Sequence, residues 1–448
     1  MLQEGVIIAL STAGNRSAIH VIRMSGGGCI ELLEKIFVGK KLANIQTNSM
    51  VYGKIVYQDE EIDEVVVSVF KSPHSFTKED VVEISCHGSP FISQRIIDIL
   101  IELGAKPALP GEFTQRAYLN GRFDLAQAEA VADLINAESE QARKIAFSQL
   151  KGEVSNQIEI IRETLLEFLS LLELELDFAE EDVEFANREQ LMERINKAER
   201  YIQKLIQSFG SGNAIKKGIP LVIAGKPNAG KSTLLNRLLN EDRAIVSDIA
   251  GTTRDTIEES FLFNNLQFRL IDTAGIRHDT ESEIEKLGIE RTLEKIEKAE
   301  IVFYLVDARH IDEAEEEILQ LQPHLNKIIW VLNKSEFLEN NIKLPPQDWV
   351  KISAKSGSIE PLLNKLKDFS NNKYLSNDIT ISNTRHLAAL KDSLQSIQNS
   401  KKSLSEGLSG EIVVFELKTA LEQLGTITGR ITNNDVLSSI FSKFCIGK

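Results

Sequence analysis

Cysteine is scarce: in 448 residues only Cys29, Cys86 and Cys445 occur, and so few thiols, odd in number and widely scattered, exclude a disulfide framework and a thiolate zinc site. His20, His74 and His87 are no better clustered, so no metal site is expected from them. No apolar run approaches the ~20 residues that span a bilayer, which excludes a transmembrane helix. The opening Met-Leu-Gln-Glu-Gly lacks the basic segment and small-residue cleavage site of a secretory signal, and a cytoplasmic location is expected. Positive charge is also in deficit. With 51 Lys and Arg against 66 Asp and Glu, the formal charge is −15, which disfavours indiscriminate adhesion to phosphate backbones; any RNA contact has to be local or shared with a partner. What is present, 42% hydrophobic and 26% charged residues, is ordinary for a globular protein, and the length calls for two to four domains at roughly 100–200 residues each.

From Gly5 to about Asn120, β-rich runs (Val6–Leu10, Ala18–Met24, Glu64–Phe70) alternate with a helical segment near Ile92–Leu103, the pattern of a compact α+β domain. From Asp124 to about Gln207 turn signals thin out. Leu165, Leu169, Leu172 and Leu176 recur at near-heptad spacing, a row that predicts helix packing, and the acidic run from Glu173 to Glu184 reads as a solvated face. Ser208–Gly218, rich in Ser, Gly and Lys, reads as a linker. Beyond it strands and helices alternate to about Phe369 as a parallel α/β domain, and helical periodicity returns at Leu387–Leu404 and Val413–Leu424. The simplest topology packs these last helices on the earlier ones, with the α/β domain inserted between. The expected boundaries are 1–120 for the α+β domain, 121–215 with 376–448 for the helical domain, and 216–375 for the insertion.

The insertion opens with a buried-strand pattern, Ile219–Ala224, then Gly225-Lys226-Pro227-Asn228-Ala229-Gly230-Lys231-Ser232 and the helical Thr233–Leu239. This is a P-loop in its strand-to-helix context: glycines let backbone N–H groups of Asn228, Ala229 and Gly230 turn in around phosphates, Lys231 meets the β- and γ-phosphates, Ser232 is a Mg2+ ligand and Thr233 follows on the helix. Phe268–Ile271 ends in Asp272-Thr273-Ala274-Gly275, where Asp272 can hold Mg2+ through water and the Gly275 backbone can sense the γ-phosphate. Ile328–Leu332 ends in Asn333-Lys334-Ser335-Glu336, and Ser353-Ala354-Lys355 closes the series. In order and spacing these resemble the guanine-specificity elements of the GTPase superfamily, with Glu336 where that pattern has Asp. Ser247-Asp248-Ile249-Ala250-Gly251-Thr252-Thr253 resembles a switch I segment, with Thr253 completing the Mg2+ shell. Ile276 follows Gly275 where Ras-like GTPases carry a water-orienting glutamine, so catalysis has to draw on another group. Asn228 resembles the asparagine that marks GTPases activated by potassium.

Four further stretches carry a resemblance over the whole chain: Ile22-Arg23-Met24-Ser25-Gly26; Ser75 to Glu83 with His87-Gly88; Pro110 to Arg122 with Asp124 to Ala130; and the terminal Phe444-Cys445-Ile446-Gly447-Lys448. On them the chain strongly resembles the MnmE (TrmE) family of tRNA-uridine modification GTPases. The resemblance implies an N-terminal α+β domain that binds 5-formyl- or 5,10-methylene-tetrahydrofolate and dimerises, an all-α helical domain, and an inserted α/β Ras-like P-loop GTPase domain activated by K+. It implies a homodimer, a heterotetramer with the FAD protein MnmG, and addition of a carboxymethylaminomethyl or aminomethyl group at C5 of the wobble uridine of certain tRNAs. By motif, folate contacts fall on Arg23, Glu83, Arg122 and Lys448, and K+ contacts on Asn228, Ser247, Ile249 and Thr252. The water-orienting glutamate falls on Glu285, with Glu283 as its competitor. For Cys445 a catalytic thiol and a packing role both stay open, and its place fourth from the end is a poor prenylation box. The loop Thr12–Ser17 and Leu109 depart from the family pattern. A ribosome-assembly GTPase is the main rival, disfavoured by the absence of a basic RNA-binding module; a P-loop ATPase, favoured only by Glu336, is the third reading.

Overall fold

The computed structural model describes residues 5–177, 188–240, 259–271, 293–314, 318–319, 321–338, 344–374 and 379–447. The chain divides into two compact units: residues 1–135, 148–200 and 389–448 form the first, and 136–147 with 201–388 the second. Among the described residues no helix is long and apolar enough to cross a membrane.

In the first unit, β1 (Ile7–Leu10), β2 (Ile19–Ser25), β3 (Phe37–Gly39), β4 (Ser49–Tyr57), β5 (Glu60–Phe70), β6 (Val81–His87) and β7 (Lys106–Pro107) form one sheet ordered β3-β4-β5-β6-β2-β1-β7. All neighbours are antiparallel except β1 and β7. The period-2 alternation of Val65, Val67 and Val69, of Ile22 and Met24, and of Val82 and Ile84 puts one apolar row on a single face. That face packs on α1 (Cys29–Glu34) and on Ile96, Ile99 and Leu100 of α2 (Pro90–Glu102). The opposite face sends Ile7 and Ala9 against Phe113 of α3 (Glu112–Leu119) and Phe76. By the same alternation Arg23 and Glu83, register partners on β2 and β6, stand on this second face.

Four helices follow: α4 (Leu125–Ile135), α5 (Glu140–Leu150), α6 (Glu153–Asp177) and α7 (Arg188–Lys217). The expected linker at 208–218 is instead helical almost to its end, because α7 runs to Lys217 and stops at Gly218, whose φ of +82° is a left-handed C-terminal cap. Its small residues serve close packing. A Cβ on Gly212 would stand 2.2 Å from the Ile381 carbonyl oxygen, the Ser208 hydroxyl accepts from the Ile381 amide at 3.1 Å, and Ala214 and Ile215 are buried in the core.

The second unit is built on a six-stranded sheet of β8 (Ile219–Ala224), β9 (Glu259–Phe263), β10 (Leu266–Leu270), β11 (Ile301–Asp307), β12 (Ile328–Asn333) and β13 (Trp349–Lys351), ordered β13-β12-β11-β8-β10-β9. Every pair is parallel except the β9–β10 hairpin at the edge. β11 and β12 are buried along their whole length, as the central strands of a sheet covered on both faces must be. α8 (Lys231–Leu239) and α9 (Glu360–Tyr374) bury Leu234, Leu235, Leu238, Leu362, Leu363 and Leu366 in one core with Ala142 of α5.

The chain closes with α10 (Thr384–Ser405), α11 (Gly410–Thr428) and α12 (Asn434–Phe441). α11 packs along α6, burying Leu165, Leu169 and Leu172 as the leucine row predicts, and Arg162 of α6 donates to the Leu421 carbonyl at 2.5 Å. Leu437 and Phe441 of α12 pack on Leu125 and Ala128 of α4.

Candidate functional site

The second unit gathers its phosphate-type motif where β8 hands the chain to α8. Gly225 has φ +135° and a Cβ there would lie 2.2 Å from the Leu305 carbonyl oxygen; Gly230 has φ +99° and its Cβ would lie 2.2 Å from Asn333 Nδ2. Both glycines are thus required by conformation and by close approach. Asn228, exposed, adopts φ +62°, a left-handed conformation that asparagine tolerates. Lys231 Nζ donates to the Lys226 carbonyl at 2.8 Å, so the ammonium lies against the loop, and Ser232 and Thr233 follow in the first turn of α8, where backbone N–H groups lack intrahelical partners.

Asn333, at the end of β12 and 2% exposed, braces this loop. Its Nδ2 donates to the Ala229 carbonyl at 2.8 Å and its Oδ1 accepts from the Ala354 amide at 3.0 Å, tying the P-loop to the Ser353-Ala354-Lys355 turn. Lys334, at φ +59°, donates to the Asn228 carbonyl and to Asp307 Oδ2, each at 2.7 Å. The next turn, Ser335–Phe337, leaves Glu336 exposed. The sequence-predicted Asn228–Thr233, Asn333, Lys334, Glu336 and Ser353–Lys355 therefore collect at the ends of β8, β12 and β13. Ser247, Asp248, Ile249, Ala250, Gly251, Thr252, Thr253, Asp272, Thr273, Ala274, Gly275, Glu283, Glu285 and Lys448 lie outside the described residues.

Sequence reasoning passed over Asp307, which ends β11 in register with Asn333. Burial opposes its charge. Bonds from Arg309 (Nη2 to Oδ2 at 2.6 Å, Nε to Oδ1 at 3.1 Å) and from Lys334 outweigh that cost and hold the carboxyl well below the usual carboxylate range. The available signal was a six-residue apolar run, Ile301–Val306, closed by a carboxylate.

In the first unit, Glu83 and Arg122 line a cleft of about 480 Å³ together with Phe70, Pro73, Ser75 and Phe76. Arg23 joins them: its Nε and Nη2 meet Glu83 Oε1 at 2.9 and 2.8 Å, and its Nη1 donates to the Gly447 carbonyl at 3.2 Å. Two guanidinium groups approach the Phe76 ring, that of Arg23 at 5.7 Å and that of Arg122 at 5.0 Å from its centroid. Burial lowers the pKa of Arg122, whose Nη1 donates to the Ser75 carbonyl at 2.5 Å, yet a guanidinium stays charged. Two cations, a carboxylate and an aromatic face suit a flat ligand that carries donor groups and an anionic tail. The Gly111 amide donates to the Cys445 carbonyl at 3.3 Å and the Ser11 hydroxyl to that of Gly447 at 3.3 Å, so the C-terminal segment is fastened beside this cleft. Cys445 itself is exposed. The two departures from the family pattern differ in place: the loop 12–17 is exposed, while the Leu109 amide donates to the buried Glu112 carboxylate at 2.8 Å.

Residues 6–122 match the family described as GTP-binding protein TrmE N-terminus, and residues 125–445 match the MnmE helical domain. The tRNA modification GTPase MnmE of Christiangramia forsetii is 44% identical over 475 residues, covering 100% of both chains. That of Flavobacterium johnsoniae is 46% identical over 467 residues, again covering 100% of both. Among solved structures, the G domain of the T. maritima FeoB iron transporter aligns with 34% of this chain and 98% of its own at 22% identity, with a TM-score of 0.25.

Proposed function

This chain belongs to the family of the tRNA modification GTPase MnmE and is a GTP hydrolase of tRNA modification; we propose that it is activated by potassium and works with a folate and a flavin partner on the wobble uridine. The observation that carries the nucleotide part is the brace through Asn333, which fixes the P-loop and the Ser353–Lys355 turn with one buried amide. In this reading the backbone amides of Asn228–Thr233 cradle the phosphates, Lys231 binds their charge, and Lys334 lies along the base while Glu336 accepts its paired N–H groups. Ser232 with Thr253 would hold Mg2+, and Asp272 would orient its water. Asn228, exposed at its left-handed turn, would share K+ with Ser247, Ile249 and Thr252. Bound there, K+ supplies the fixed positive charge that an arginine finger supplies in other GTPases. Glu285 would orient the attacking water.

The folate part is supported by Arg23, Glu83 and Arg122 converging on one cleft. Glu83 suits the paired donors of a pterin, and Arg23, Arg122 and Lys448 suit folate carboxylates. A tetrahydrofolate supplies a one-carbon unit when bound; for Cys445, exposed on the C-terminal segment, a catalytic thiol and a packing role both stay open. The proposed assembly is a homodimer that joins the FAD protein MnmG and adds a carboxymethylaminomethyl or aminomethyl group at C5 of the uridine.

GTP hydrolysis in KCl and in NaCl at equal ionic strength, with ATP as control, tests the central claim. Strong stimulation by potassium with GTP preferred is the expected result. Equal rates in both salts would remove the potassium mechanism, and turnover of ATP would remove the base assignment.

A further inference from the structure

Arg309 belongs to none of the motifs above, yet it stands beside the turn that carries Glu336. It is anchored three times on Asp307: Nε to Oδ1 at 3.1 Å, Nη2 to Oδ2 at 2.6 Å, and its own backbone amide to Oδ1 at 3.0 Å. Its guanidinium carbon lies 5.5 Å from the ring centroid of Phe337, the residue after Glu336. Asp307 alone does not require it, because Lys334 already meets the same carboxylate at 2.7 Å. With both cations on Asp307 the group carries one surplus positive charge, and the carboxylate in its field is Glu336; the Arg309 guanidinium is held above its usual pKa first by its hydrogen bond to Asp307, then by the Asp307 charge, with Glu336 adding further attraction.

Glutamate has one more torsion than the aspartate this position carries in related GTPases, so its carboxylate samples more positions and ordering it costs more conformational entropy. A planar guanidinium fixed by a bidentate bond and an aromatic face is a rigid counter-charge, which a lysine on a flexible stem is not. We propose that Arg309 is a specificity-determining positioning residue: fixed on Asp307 and laid over Phe337, it holds the longer Glu336 side chain where its carboxylate reads guanine. The inference rests on the reading of Glu336 as the guanine acceptor.

The test is calorimetric titration of the full chain with GDP, IDP and ADP in Mg2+. Inosine keeps the ring N–H and lacks the exocyclic amine, so the ratio of IDP to GDP dissociation constants reports the carboxylate's placement, while general damage to the site weakens both ligands together. Arg309→Ala is expected to lower that ratio about tenfold, the worth of one well-placed hydrogen bond to a charged group. In a Glu336→Asp background, where the shorter side chain needs no guide, the same substitution should move it by less than about twofold. An equal fall in both backgrounds, or none in either, overturns the inference. Failure of the wild-type chain to prefer GDP over ADP would instead overturn the guanine reading itself, and the inference with it.

Discussion

Asp307 shows how one side chain couples the stability of the nucleotide unit to pH. Its folded pKa is depressed, since burial is outweighed by Arg309 and Lys334, so its contribution is fully present above the unfolded value of about 3.9 and is lost as pH falls from there through the folded value. The Arg309 guanidinium, raised above its usual range first by its bond to Asp307, keeps its charge across that window. Acid unfolding followed by circular dichroism is expected to show wild type more stable than Asp307→Asn at neutral pH, with the gap narrowing progressively as pH falls below about 4. A gap of constant size would mean that the carboxylate's charge is not what matters. The role of Asp307 was not legible in the sequence, because its partners lie two and 27 positions away and only the parallel pairing of β11 with β12 brings Lys334 beside it. Asn333 was legible as a motif member but not as a brace, since its bonds to Ala229 and Ala354 are made across strands.

Among the elements, α7 separates local preference from tertiary packing. Propensity alone favours Gly212→Ala, because alanine in a helix interior is better than glycine by about 1 kcal/mol. The structure argues for the opposite sign, since a Cβ at that position would stand 2.2 Å from a backbone oxygen of Ile381, and backbone is not free to step aside. Overpacking of this kind typically costs about 1–3 kcal/mol. Urea unfolding of the variant should therefore show a lower midpoint with an unchanged slope, and a raised midpoint would mean that the 381 segment yields without cost. The same contact explains the misread linker. A run of Ser, Gly and Lys is locally indistinguishable from a flexible connection, and only the partner strand of chain from Ile381 reveals the glycine as a contact. Where the signal was periodic, as in the leucines of α6, the sequence was enough to place the element and its packed face, whereas for β5 it gave a β-rich run and the structure shows which valines are buried.

For the molecule as a whole, the two compact units carry separate cores and separate candidate sites. The P-loop unit buries Ile219, Leu221, Phe268 and Phe303 around its own sheet, and the unit with the cleft buries Ile22, Val67, Ile84 and Ile99 around another. A ligand that binds only folded protein stabilises what it binds by mass action, about 2.7 kcal/mol at a hundredfold excess over its dissociation constant. If GDP occupies the P-loop unit and the cores melt separately, scanning calorimetry of the full chain should resolve two transitions, of which GDP with Mg2+ raises one. A reduced folate should raise the other, because Arg23, Glu83 and Arg122 all belong to the cleft unit. Glu83→Ala should abolish the folate shift while leaving the GDP shift intact, which ties each transition to its site. A single transition raised by either ligand would show that the units unfold as one, and energetic coupling between the two sites would then follow from folding cooperativity alone, before any step of hydrolysis.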